Sequence, residues 1–228
     1  MKKTEIYTLG SPYREDLTVS GYSFGYGQKA ACIVGSIRGN EIQQLYVCSQ
    51  IIRKLEELEA ANAVTPGKEI LVIPSVNHHA MNIGKNMPGD FIPHVRMMDT
   101  GKQNTSLACL FGLPYVVVRK PRPIDTTTLN YNWQIWDTNA FSLYTTETDV
   151  IDEVSARQAV AAVMRFLTRM GILKYHSHNG YIATVIGEEE LVSVRTDNGG
   201  IYRRLCHPGD CVYFARAREQ RLSVAADS

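Results

Sequence analysis

No apolar run in this chain of 228 residues approaches the roughly 20 needed for a bilayer-spanning helix. No excess of either charge is present: 24 Lys and Arg stand against 23 Asp and Glu, a net charge of +1. That balance gives no electrostatic reason to expect nucleic acid or an acidic membrane surface as partner. The start, MKKTEIYTLG, has two lysines but no apolar segment behind them, so a secretory signal is not expected and a cytoplasmic location is. Cysteines are few and odd in number, five in all, and Cys32, Cys48 and Cys109 lie in apolar surroundings. Reduced, buried thiols are expected rather than a disulfide framework. Internal repeats and low-complexity tracts are absent.

What is present is organised around ACIVGSIRGNEIQQLYVCSQIIRKLEEL, residues 31–58. Ala31 to Val34 has the composition of a strand buried on both faces. Gly35 and Gly39 bracket a turn containing Arg38. Ile42, Leu45, Cys48, Ile52 and Leu55 then recur with helical period, which predicts an amphipathic helix with Asn40 as N-cap and Glu41 in its first turn. A second apolar segment, EILVIPSV, follows after a Pro-Gly loop, so strand, helix and strand form a βαβ unit with parallel strands. Residues 77–104 keep neither period and carry His78, His79, His94 and Arg96; a connection this long inside a compact domain is expected to be functional or disordered. Pro114 to Val118 is a third buried strand. Residues 119–140 suit a loop over a site, with Tyr131, Trp133 and Trp136 in it. Phe141 to Glu147 is a fourth strand ending on a carboxylate. An amphipathic helix runs to Met170, with Ala159, Val160, Val163, Phe166 and Leu167 inward and Gly171 as its stop. From Gly180 the pattern turns to short β segments with polar turns. The expected architecture is α/β, a mostly parallel or mixed sheet flanked by helices in residues 1–175, with a small β-rich unit over 176–228.

Three polar points fall at carboxyl ends of strands: Arg38 and Glu41, then Asn77 with His78 and His79, then Glu147. In open α/β sheets such ends share a ligand crevice. Carboxylates and histidines converging there would suit a metal-activated water with a general base. The plain alternative is a capping charge at Glu41 and a solvated Arg38.

At these residues the chain resembles the succinylglutamate desuccinylase/aspartoacylase family, of zinc carboxypeptidase-like fold. GSIRGNEI is similar to the family's G-x-x-H-G-[ND]-E signature, and ILVIPSVN to its second strand, which ends in asparagine. PHVRM followed by FGLPYVVV, YTTE, RMGIL and NGGIYRRLCHPGDCV keep the family's order, so the likeness covers most of residues 30–215. It implies a zinc-dependent hydrolase cleaving the amide of a small anionic N-acyl amino acid or peptide-like substrate. Glu147 then matches the catalytic general base and Glu41 a zinc ligand. His94 is a further candidate ligand, beside His78 and His79, and Arg38, Asn77 and Arg96 are candidate substrate-binding residues. A homo-oligomer is left open.

Two departures stand out. Arg38 occupies the place of the first ligand histidine, and a permanently cationic guanidinium offers no lone pair to zinc. Between Asn77 and Pro93 the family carries an Asp-x-Asn-Arg segment, a helix and a strand ending in the last ligand histidine; here the stretch around Met87 to Phe91 leaves no room for them. The second expectation is therefore a relative without the zinc site, binding a small anion through Arg38 or a protein partner. Cys206, His207 and Cys211 flank a Pro-Gly turn, too little for a metal knuckle.

Overall fold

The computed structural model describes residues 1–12, 15–77 and 92–191. Its strands form two four-stranded mixed sheets. In the first, the hairpin of β1 (Lys2–Leu9) and β2 (Leu17–Gly25) leads to β4 (Lys68–Ile73), which pairs antiparallel with β2 and parallel with β3 (Gln28–Val34). Helix α1 (Ile42–Ala60) connects β3 to β4, the expected βαβ unit. In the second, β5 (His94–Met98) lies between β6 (Tyr115–Arg119), parallel, and β7 (Ser142–Tyr144), antiparallel, and β8 (Thr184–Gly187) adds to β6 in parallel. Helices α2 (Thr105–Cys109), α3 (Leu129–Ile135) and α4 (Glu153–Arg169) complete the described body. No described helix is long and apolar enough to cross a membrane.

Local chemistry explains the main elements. Ile70 and Val72 alternate into the core on β4 and are fully buried. Asp152 caps α4, accepting from the Val154 and Ser155 amides at 2.9 and 3.3 Å, with Glu153 in the first turn and Arg169 in the last, as the helix dipole favours. Gly171 follows at φ 68°, the left-handed stop that glycine adopts without strain. One core joins β2, β4, α1 and α4 through Phe24, Ile51, Leu55, Ile70 and Leu167. A second lies on β5 and β6 around Val95, Met97, Phe111 and Val116. Phe166 and Leu143 pack against both.

Several expectations need correction. Glu41, not Asn40, is the N-cap of α1, and Asn40 takes φ 70°. The inward stripe is Gln43, Val47, Cys48, Ile51, Leu55 and Leu58, whereas Ile42 is exposed. Gln43 can face inward because both polar atoms of its side chain are satisfied by the Asp152 backbone. Strand β3 is paired on one side only among the described residues and leaves Cys32 exposed, where burial on both faces was expected. Cys109 is half-buried; Cys48 is buried, and desolvation pushes its thiol up to about 12, so it stays protonated. The irregular stretch 77–104 contains β5, whose period is hidden because four of its five residues are buried. The fourth strand stops at Tyr144. The β segment at 184–187 pairs within the second sheet, and residues 192–228, with Cys206, His207 and Cys211, lie outside the described residues.

The 119–140 stretch, expected as a loop, holds a 3₁₀ turn (Pro123–Thr127) and α3. Its anchor is Asp125, which accepts from Arg119 Nη1 and Nη2 at 2.5 and 2.6 Å and from the Arg122 amide at 2.7 Å. The Arg119 guanidinium holds this carboxyl down at about 2, with help from the Arg122 amide, against the opposing effect of burial. Because the folded value lies below the ordinary 3.8, the stabilisation is full above about pH 4 and is lost as the pH falls toward 2. In Asp125→Asn, urea denaturation from pH 5 to pH 2.5 is expected to show a flatter acid limb than wild type.

Candidate functional site

Two turns make the site. The first follows β3. The Gly35 amide donates to Ile73 O at 2.9 Å and the Val76 amide to Ser36 O at 3.1 Å, tying the turn to the end of β4. A Cβ at Gly35 would lie 2.6 Å from Cys48 Sγ and 2.8 Å from Pro74 O, so only glycine fits there. Ser36, buried at φ 33°, donates its hydroxyl proton to Glu41 O at 2.6 Å. Glu41 turns its carboxylate back on this turn: Oε2 accepts from the Ile37 and Arg38 amides at 2.7 and 2.8 Å. The Arg38 side chain is exposed, and its guanidinium makes no ion pair among the described residues.

The second turn follows β7. Thr145 Oγ1 donates to Glu147 O at 2.7 Å, and the Thr146 amide donates to Ser155 Oγ at 2.9 Å. These bonds end the strand and hold Glu147, half-buried, at its tip; the Glu147 carboxylate has no partner among the described residues. The two turns are joined by Gln43. Its amide donates to Thr148 O at 3.1 Å, its Nε2 to Asp152 O at 2.9 Å, and its Oε1 accepts from the Asp152 amide at 3.0 Å. By backbone dimensions, the first bond alone keeps the Cα atoms of Glu41 and Glu147 within about 16 Å.

At the start of β5, His94 stands opposite Tyr144 and stacks on it, 4.8 Å between ring centroids and 15° between planes. Arg96, two residues on and on the same strand face, lies 4.5 Å over the same ring. Arg96 Nε donates to His94 Nε2 at 2.9 Å, so Nδ1 is the protonated nitrogen and donates to Ile92 O at 2.6 Å. Burial first, and the Arg96 charge with it, holds the imidazole below its ordinary range against the pull of the Ile92 carbonyl. Asn77 is half-buried and lies four residues past the end of β4. His78 and His79 lie outside the described residues.

No protein-family model matches the sequence. No curated protein matches it either. Solved structures do. A succinylglutamate desuccinylase/aspartoacylase from Rhodobacter sphaeroides superposes with a TM-score of 0.62 at 12% identity, over 81% of this chain and 72% of that one. The ectoine utilization protein EutE (DoeB) from Ruegeria pomeroyi, in a product-bound structure, gives 0.59 at 14%, over 75% and 67%. An aspartoacylase family protein from Mesorhizobium loti gives 0.55 at 16%, over 76% and 66%.

The fold is that of the desuccinylase/aspartoacylase structures.

On this desuccinylase/aspartoacylase fold, Glu41 and His94 are the described candidates for the zinc that the family resemblance implies. One oxygen of Glu41 already accepts two backbone N–H bonds, Arg38 has no lone pair to give, and the Nε2 lone pair of His94 is taken by Arg96. These donors do not fit a zinc centre, which needs three or four free N, S or O ligands. No cluster of three such side chains occurs among the described residues. Sequence reasoning missed Ser36, Gln43, Thr145 and Ser155. Among the described residues eight polar side chains are buried, and these four frame the two turns, which makes buried polarity the strongest marker of the site.

Proposed function

We propose that the paired turns form a crevice that binds the carboxylate of a small N-acyl amino acid through Arg38, without the family's zinc. The observation that carries this reading is the fate of Glu41 and Arg38. One oxygen of the carboxylate expected to hold metal is committed to the backbone of its own turn, and the guanidinium in the place of a ligand histidine makes no ion pair among the described residues. A guanidinium offers a carboxylate two parallel N–H bonds, a geometry lysine cannot supply. Asn77, four residues past the end of β4, is the residue we assign to the acyl end of the ligand. Arg96 acts through Tyr144 and His94, bracing the strand that leads to Glu147.

A second reading is hydrolysis of that amide, with Glu147 as general base. It is favoured by one observation, the Glu147 carboxylate in the turn after β7, which has no partner among the described residues. Bound zinc would supply the activated water in that chemistry, and the described donors give it no seat. Elemental analysis after zinc reconstitution separates the two readings. The expected result is far less than one zinc per chain, unchanged in Glu41→Ala. One equivalent of zinc, lost in Glu41→Ala, would overturn the zinc-free reading.

A further inference from the structure

Gln43 is the only fully buried polar side chain near the two turns that reaches from one to the other, among the described residues. It is 0% exposed, sits in the first turn of α1, and makes both of its side-chain bonds to the backbone of a residue 109 positions away. Both bonds go to one peptide unit pair, Asp152 N–H and Asp152 C=O, in the manner of a strand-to-strand exchange. The Gln43 backbone amide adds a third bond, to Thr148 O. Thr148 and Asp152 bracket the segment between Glu147 and the cap of α4. Leucine would suit the hydrophobic stripe of α1 at this position and would leave two of the turn's polar groups, Asp152 N–H and C=O, with fewer partners.

We infer that Gln43 is a positioning residue: it locks the Glu147 turn to the Arg38–Glu41 turn, so that both present their charged side chains to one crevice as a rigid unit. Its effect on ligand binding rests on the reading of the crevice as a carboxylate site; its effect on the turns does not. Gln43 touches no ligand in this account. It acts through the Thr148–Asp152 backbone, and Asp152 in turn caps α4. The turn is braced from its other side by Ser155, so removing Gln43 loosens one end of the turn while α4 stays capped.

The test compares Gln43→Leu and Gln43→Glu with Gln134→Leu. Gln134 is an equally buried amide remote from the two turns in its bonding, donating to Asn130 Oδ1 and accepting from Thr100. Gln43→Glu keeps the acceptor for the Asp152 amide and loses the donor, and serves where the leucine variant does not fold. Hydrogen exchange is read for peptides covering 144–155 and 35–42, and binding of N-acetylaspartate by calorimetry. The expected result is exchange at least tenfold faster in both peptides for the Gln43 variants. Affinity falls at least fivefold in those variants, and neither change occurs in Gln134→Leu at a comparable loss of thermal stability. Unchanged exchange over 144–155 in the Gln43 variants would overturn the inference, as would an equal effect from Gln134→Leu. If wild type binds no N-acetylaspartate, the carboxylate reading fails and the exchange result alone decides the role of Gln43.

Discussion

Phe166→Ala is expected to lower the unfolding free energy toward the low end of about 3–5 kcal/mol, the range for truncating a large aromatic in a packed core, because the ring is partly buried. Phe166 stacks on Phe111 at 4.2 Å between centroids and meets Phe141 edge-on at 5.6 Å. Phe111 and Phe141 also meet each other edge-on at 5.5 Å, so the three rings form one closed cluster. Each aromatic pair contributes about 0.5–1.5 kcal/mol beyond burial. More consequential is where the ring stands: on α4, packed against both cores. The two sheets do not pair with each other through any described strand, so α4 and Leu143 carry the packing between them. For a chain of this size the loss corresponds to a fall in Tm of about 6–20 °C. Urea denaturation followed by both near-UV and far-UV circular dichroism checks it. A loss below 1 kcal/mol would mean that the sheets are held together elsewhere. Phe166→Leu, which keeps most of the volume, is expected to recover most of the stability.

Arg38→Ala is expected to weaken binding of a small carboxylate about tenfold, or about 1.4 kcal/mol. A charge-assisted hydrogen bond contributes about 1.5–3 kcal/mol, and Arg38 is exposed, so solvent screening places the effect at the lower part of that range. Arg38→Lys is expected to restore only part of the affinity, because the paired N–H geometry is lost. Thermal stability should be nearly unchanged in both variants, since the side chain makes no ion pair among the described residues. A large loss of stability would instead place Arg38 in the framework of the turn.

Much of this fold was legible in the sequence where one simple rule acted alone. Alternation in EILVIPSV, the parallel βαβ unit, the inward residues Ala159, Val163 and Leu167, and Gly171 past the helix end all follow from period and conformational preference. The architecture of β3 was not legible, because AACIV has the composition of a central strand, and composition does not count neighbours. Ile42 and Gln43 were read the wrong way round for a related reason. Apolar periodicity assigns inward positions to apolar residues, and a buried glutamine satisfied by backbone looks like a surface residue in sequence. The strand ends carrying Arg38, Glu41 and Glu147 were legible as neighbours, and Gln43 ties their turns together. The inward fold of the Glu41 carboxylate depends on the left-handed residues Ser36 and Asn40, which the sequence does not announce. The His94–Arg96 pairing left a signal that could have been used: residues two apart in an extended segment share a face.

The account turns on whether the crevice takes its ligand without metal. The most direct measurement is a calorimetric titration of chelator-treated protein with N-acetylaspartate, repeated after zinc is restored. The predicted result is binding in the chelated protein, with the same affinity when zinc is present. Binding that appears only with zinc would contradict the account and return Glu41 to the role of metal ligand.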